Sequence, residues 1–296
     1  AHGSYIGTTG YANHTRAFYR ELSNYYNLKV RNFTVGKSWV GFNNEPHNNE
    51  DYIDNKDKKL LVEQSLWDNN KNLNHHHFYS NYSNNFEHNV NIILNETDHH
   101  FFYQNYDGPK IAYNVWETTR QPDYFFNQLK TFDQVWVASK WQRECTIEQG
   151  IEPHKVKVVP EAVDGSIFKP NNKSTLPEYK DNRFKFILFG RWDYRKSTKQ
   201  ILQEFNEDEP VDLIVSIDNP YAKDEFKSTE NRLKNYNLND PRIKIKHFPT
   251  RKEYIKYLQK GHVFLSCARS EGWNLPLIEA MACGTPSIYS NCSAQL

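Results

Sequence analysis

Two glutamates, Glu271 and Glu279, with seven residues between them, mark the stretch best equipped for chemistry. Pro276 suits a first helical position because its missing N–H would be orphaned there anyway, Gly284 suits a left-handed stop, and Pro286 prevents continuation. A helix is thus predicted between a strand at Val263–Ser266 and another at Ser287–Tyr289. Glu271 then sits on the loop leaving a strand, and Glu279 sits one turn into the helix, able to point back over that loop. The amides of Gly272, Trp273 and Asn274, with the positive end of the helix dipole, form an anion site. Two fixed carboxylates beside it accept hydrogen bonds from hydroxyls, so a ligand carrying both phosphate and sugar hydroxyls fits. An isolated glutamate here would be an ordinary first-turn dipole partner. A second loop argues for more: Arg191 and Lys196 follow the predicted strand Phe184–Phe189, and both loops should open onto one edge of one sheet. Two cations beside a helix N-terminus can hold a diphosphate.

The elements that must position these residues alternate between strand and helix. In the second half, strands are expected at residues 184–189, 211–217, 243–247 and 263–266, with helices at 198–205, 222–236 and 252–260. In the first half, strands are expected at residues 28–35, 90–94, 110–115, 135–138 and 156–159. The helices there are 12–25, 122–129 and 141–149, the last capped by Ser139 and stopped by Gly150. Alternation of this kind implies right-handed crossovers and parallel sheets. The fold class is therefore α/β, with two Rossmann-like parallel-sheet domains facing a cleft: residues 1–172, with an irregular excursion at 43–89, and residues 180–296. The Pro- and Asn-rich stretch at 170–177 is the linker candidate. In parallel sheets the working residues lie beyond the strand C-termini, which singles out Gly10, His99, His100 and Glu117 in the first domain. The run His75-His76-His77 is read as a solvated loop, since three adjacent side chains cannot all face one ion on a helix or strand.

With 296 residues the chain is long enough for two cores, and 37 Lys and Arg against 36 Asp and Glu give a net charge of +1. That balance gives no electrostatic grip on nucleic acid or on an anionic membrane surface. The four cysteines show no C-x-x-C pairing, so reduced thiols and a cytoplasmic setting are expected. No apolar run reaches the roughly 20 residues that span a bilayer. Met281 is the sole methionine, and the chain is expected to be trimmed at both ends.

Four stretches together resemble the retaining nucleotide-sugar glycosyltransferases of the GT-B fold, in the large family 4 group (glycosyl transferases group 1). They are Gly10-Tyr11-Ala12; Ser139-Lys140-Trp141 through Val158-Val159-Pro160-Glu161-Ala162-Val163-Asp164 to Phe168 and Pro170; Gly190-Arg191 with Arg195-Lys196; and Glu271 through Glu279 to Pro286. The resemblance implies that Arg191 and Lys196 bind the donor diphosphate and stabilise the leaving nucleotide. By the same likeness Glu271 and the segment Gly272, Trp273, Asn274 and Leu275 hold the transferred sugar, Glu279 binds the donor ribose, and Gly10 approaches the phosphate. His247 and Phe248 fall where such enzymes seat the base. A first-domain histidine is expected at the reacting centre, and His99 and His100 compete for that role beside Glu117. The closing helix that returns to the first domain in this family is missing from the sequence.

As the anomeric carbon leaves the diphosphate, negative charge grows on the leaving oxygen, where preorganised cations act most strongly. The chain has no D-x-D, so no metal clamp is expected, and no cofactor beyond the nucleotide-sugar co-substrate. The acceptor is a glycan, lipid or protein. The other readings are a sugar-nucleotide epimerase or glycan phosphorylase on the same scaffold, a non-catalytic sugar-nucleotide binder, or a glycosidase using paired carboxylates. The adjoining diphosphate cradle disfavours the glycosidase.

Overall fold

The computed structural model describes residues 2–3, 10–28, 30–32, 55–60, 90–94, 108–171, 183–205, 210–219, 222–248 and 250–295. His99, His100, the triple histidine, the loop at 4–9 and the linker residues 172–177 lie outside these. The chain divides into two compact units, Ala1–Glu161 and Ala162–Leu296.

The first unit holds a six-stranded, wholly parallel sheet in the order β2-β1-β3-β4-β5-β6. Its strands are β1 (His2–Gly3), β2 (Arg31–Asn32), β3 (Asn91–Leu94), β4 (Lys110–Asn114), β5 (Gln134–Val137) and β6 (Val156–Val158). Its helices are α1 (Gly10–Leu22), α2 (Asn55–Leu60), α3 (Asp123–Leu129) and α4 (Lys140–Glu148). Ile93, Ala112, Val135 and Val137 of the strands pack with Phe126 and Leu129 of α3 into one dry core. Burial of each of the larger side chains, Ala112 aside, contributes about 1.5–3 kcal/mol. Ser139 caps α4 by accepting from the Gln142 amide at 3.1 Å, and Gly150 takes a φ of +116° just beyond it, as the spacing predicts.

The second unit carries five parallel strands in the order β11-β10-β7-β8-β9. They are β7 (Phe184–Phe189), β8 (Val211–Ser216), β9 (Ile243–Ile245), β10 (Val263–Ser266) and β11 (Ser287–Tyr289). Four helices accompany them: α5 (Thr198–Gln203), α6 (Thr229–Asn235), α7 (Arg251–Lys260) and α8 (Leu275–Ala282). Because side chains alternate along a strand, Ile187 and Phe189 of β7 join Phe264, Leu258 and Leu277 on one face. Phe186 and Leu188 join Leu202, Leu213 and Val215 on the other. Both faces are covered, as a parallel sheet requires.

Four expectations are corrected. The second unit begins at Ala162 and not at 180, because Val163, Ile167 and Phe168 pack into its core. The excursion at 43–89 contains α2, whose Leu60 carbonyl accepts from the Val30 amide at 2.8 Å. The helix expected over 222–236 is a 3₁₀ turn at Asp224–Phe226 followed by α6. It breaks at Ser228, which caps α6 by accepting from the Asn231 amide, while Asp218 takes the amide and hydroxyl of Thr229 at 2.7 and 2.6 Å. Pro276 is the second helical residue of α8, and Leu275 is the first.

Gly261, which ends α7, lies so close to β7 that a Cβ there would fall 1.8 Å from Ile187 Cδ1. Gly261→Ala is therefore expected to lower stability by about 1–3 kcal/mol through overpacking. Gly165→Ala, where a Cβ meets nothing within 4 Å, should change it little. Denaturant midpoints of the two variants check this.

Candidate functional site

The strand order of the second unit brings the two loops together. The chain lays β7, β8 and β9 outward in one direction, then returns to place β10 and β11 on the opposite side of β7. The reversal falls between β7 and β10, so the loops leaving their C-terminal ends flank one crevice, the place where open parallel sheets bind ligands.

The loop after β7 is anchored before it offers any charge. Gly190 adopts a φ of +140°, a region that disfavours side chains, and its amide donates to the Ser216 carbonyl at 3.0 Å. The Trp192 amide donates to Ile217, and its carbonyl accepts from Arg232 Nη1 at 2.8 Å and Asn219 Nδ2 at 3.0 Å. Asp193 then accepts from the Arg195 amide at 2.8 Å and from Arg191 Nη2 at 3.0 Å. Burial pushes the Asp193 carboxyl up, but that amide and the Arg191 guanidinium outweigh it and hold the group below its ordinary value.

The loop after β10 docks onto this one. The Arg269 amide donates to the Arg195 carbonyl at 2.7 Å, and Arg195 Nη1 donates to the Ser270 carbonyl at 2.6 Å. Glu271, with its side chain only 4% exposed, meets Arg195 Nη1 through Oε2 at 2.7 Å and Lys196 Nζ through Oε1 at 2.6 Å. From behind, the Glu271 amide donates to Ser293 Oγ at 2.8 Å. Asn274 enters α8 in the left-handed conformation, φ +85°, with Nδ2 donating to Ser266 Oγ at 2.7 Å and to Gln295 Oε1 at 2.6 Å. Asparagine tolerates that backbone better than most residues. Trp273 Nε1 is buried without a hydrogen-bond partner among the described residues.

Of the two carboxylates expected to meet cations, Glu271 does, with one change of partner, and Glu279 does not. Lys196 meets Glu271 as the spacing suggests, whereas Arg191 pairs with Asp193 on its own loop. Arg195 supplies the second cation at Glu271. Its signal in the sequence was its place beside Lys196, but adjacency alone does not say which of two arginines turns toward a loop 75 residues away.

Glu279 lies on α8, buried, and accepts from Tyr254 Oη at 2.6 Å. Burial raises its carboxyl to about 7, against the lowering effects of Tyr254 and Arg251. Tyr254 is itself pushed well above its ordinary value, by burial first and the Glu279 charge second. Phe248 is packed among Phe189, Tyr254 and Tyr257, with centroids 5.0, 5.7 and 5.2 Å away. His247 is exposed and lies 3.3 Å from Asp218 and 3.2 Å from Glu230. In the first unit, Gly10 opens α1 and Glu117 follows β4, both beyond strand C-termini.

The Glu279 carboxyl has a stability signature. Below pH 4.5 it is protonated both folded and unfolded, and it costs nothing. As pH rises from 4.5 to about 7 the unfolded chain ionises first, so native stability falls by an amount on the order of 3 kcal/mol. Glu279→Gln should therefore melt higher than the parent at pH 8 and equally at pH 4, a difference that calorimetry at the two pH values measures.

Residues 169–295, which contain both loops and both glutamates, match the family model described as Glycosyl transferases group 1. The chain is 26% identical over 161 residues, 53% of its own length, to one of the subunits of the Arabidopsis thaliana phosphatidylinositol N-acetylglucosaminyltransferase. It spans 14% and 34% of the length of the two curated relatives it matches. Among solved structures it resembles Anabaena HepE in complex with UDP and glucose, at a TM-score of 0.74 and 12% identity over 99% of this chain and 80% of that one. Sucrose-phosphate synthase from Thermosynechococcus elongatus aligns at a TM-score of 0.60 and 17% identity over 74% of this chain and 60% of that one. The fold is thus the two-sheet α/β fold of the GT-B glycosyltransferases, and residues 169–295 are similar to the glycosyl transferases group 1 family.

Proposed function

We propose that this protein transfers a sugar from a nucleoside-diphosphate sugar to a hydroxyl acceptor, with retention of anomeric configuration and without a metal or cofactor. The observation that carries this reading is the meeting of Arg195, Lys196 and Glu271 at the C-terminal rim of the second sheet, inside the segment that matches the family. Anabaena HepE, which shares the fold, has been solved with UDP and glucose. An activated sugar needs both charges supplied here: cations for the diphosphate, carboxylates for hydroxyls.

In the reaction the bond between the anomeric carbon and the β-phosphate oxygen breaks, the acceptor oxygen bonds to that carbon on the same face, and the acceptor proton passes to the departing phosphate. Charge accumulates on the leaving oxygen. Lys196 and Arg195 counter it, and since their loop is already anchored, little reorganisation is needed at that moment. Glu271 pairs with both cations and offsets one of their two positive charges. The diphosphate takes over those contacts, and Glu271 with the amides of Gly272, Trp273, Asn274 and Leu275 turns to the transferred sugar. Arg191 backs the same loop through Asp193. Glu279 receives the ribose, and the segment from His247 seats the base. Gly10, His99, His100 and Glu117 keep their assigned roles on the strength of the resemblance. No helix among the described residues is long and apolar enough to cross a membrane.

A thermal-shift panel of UDP-, GDP- and ADP-sugars tests the assignment. One nucleotide class at a hundredfold excess over Kd is expected to stabilise the parent by about 2.7 kcal/mol, or roughly 5–10 °C. Lys196→Ala and Glu279→Ala should both abolish the shift, and equal shifts in all three proteins would remove the site. Proton NMR of the product should show the donor's own anomeric configuration, with turnover unchanged by EDTA.

A further inference from the structure

The site as described uses Glu279 but leaves Tyr254 unexplained. Tyr254 stands on α7, where its ring is gripped by Phe168, Phe189 and Phe248, with centroids 6.4, 5.7 and 5.7 Å away. Held this way the ring cannot swing, and its hydroxyl donates to one oxygen only, Glu279 Oε2, at 2.6 Å. Phenylalanine would fill the same apolar space without a polar group to bury, so packing does not account for the hydroxyl. Among the described residues the Glu279 carboxylate has no other hydrogen-bond partner. A carboxylate held in one orientation, with Oε2 already accepting from Tyr254, keeps more open acceptor capacity on Oε1 than on Oε2.

We propose that Tyr254 is a positioning residue that orients Glu279 so that it accepts more strongly from one ribose hydroxyl of the nucleotide than from the other, making the site selective at one ribose position. This rests on the reading of Glu279 as the ribose-binding residue. A carboxylate with both oxygens open can accept from the 2′- and 3′-hydroxyls together, and then loss of either costs about the same. With Oε2 already accepting from Tyr254, the hydroxyl that meets Oε1 is bound more strongly than the one that must share Oε2. The hydroxyl also favours the ionised carboxylate, as does Arg251 on the same helix as Tyr254, while Cys283, just past the end of α8 and pushed to about 11 chiefly by burial, faces it as a neutral thiol. Tyr254 therefore favours the ionised form of the acceptor as well as aiming it.

The test is calorimetric binding of UDP, GDP and ADP and of their 2′-deoxy and 3′-deoxy forms to the whole chain, for the parent, Tyr254→Phe and Glu279→Gln. In the parent, one deoxy form of the preferred nucleotide should bind tenfold or more weakly, and the other within threefold of the ribonucleotide. In Tyr254→Phe the two penalties should converge to within threefold of each other. The pH midpoint of the ribo-to-deoxy affinity ratio, in which phosphate titration cancels, should also move upward in that variant, because the carboxyl has lost a group that favours its charge. A melting temperature without nucleotide separates this from misfolding, since a purely structural role for Tyr254 would lower that temperature and leave both the ratio and its midpoint where they were. Binding with equal penalties in the parent, or with unchanged discrimination in Tyr254→Phe, overturns this inference and leaves the donor site standing. Failure of every nucleotide to bind overturns both.

Discussion

A carboxylate taken almost wholly out of water, Glu271, is held between two cations that come from a different loop. Removing a charge from water costs several kcal/mol, which only close, well-hydrogen-bonded partners offset. Here the partners are close because the strand order reverses between β7 and β10, and both loops are fastened before they meet. Trp192 is held by Arg232 and Asn219 on one side, and Ser293 and Gln295 brace the other loop from behind. The stability of such a triad is modest, and its interest lies in what it stores. Cations and carboxylate are preorganised at the position where a diphosphate and a sugar would exchange places with their mutual contacts.

Glu279 follows a different principle. It has no cation within ion-pair distance among the described residues, its carboxyl is raised by burial, and one buried tyrosine hydroxyl is its partner. A fold optimised for stability alone would put an apolar residue on this face of α8, beside the buried Cys283. A carboxyl kept there against its own solvation is a cost borne by the fold, and such costs concentrate at places that act on ligands. Glu271 and Glu279 thus stand a helical entry apart with opposite electrostatic supports, one saturated by charge and the other poised near neutrality.

The fold was largely legible in the sequence because its signals are local. Strand β7 is written in the run from Phe184 to Phe189, α4 in Ser139 and Gly150, and α8 in Pro276 and Gly284. These depend on periodicity and on backbone positions that only certain residues tolerate. Where a local signal had a stronger competitor the prediction failed. A side-chain cap at Ser228 and an Asp218 acceptor cut one predicted helix short, and core packing by Phe168 moved the start of the second unit upstream of the apparent linker.

By itself the sequence determined the α/β alternation, the two parallel sheets and the identity of the loops that carry Lys196, Glu271 and Glu279, since chain order and residue type suffice for these. Only the tertiary structure decided that Arg195 and not Arg191 reaches Glu271, that Tyr254 claims one oxygen of Glu279, and that Phe248 is spent on packing its aromatic cluster. Those outcomes depend on which way a side chain turns once distant segments are brought together. That choice follows from competition among partners in space, and nothing in the spacing along the chain encodes it.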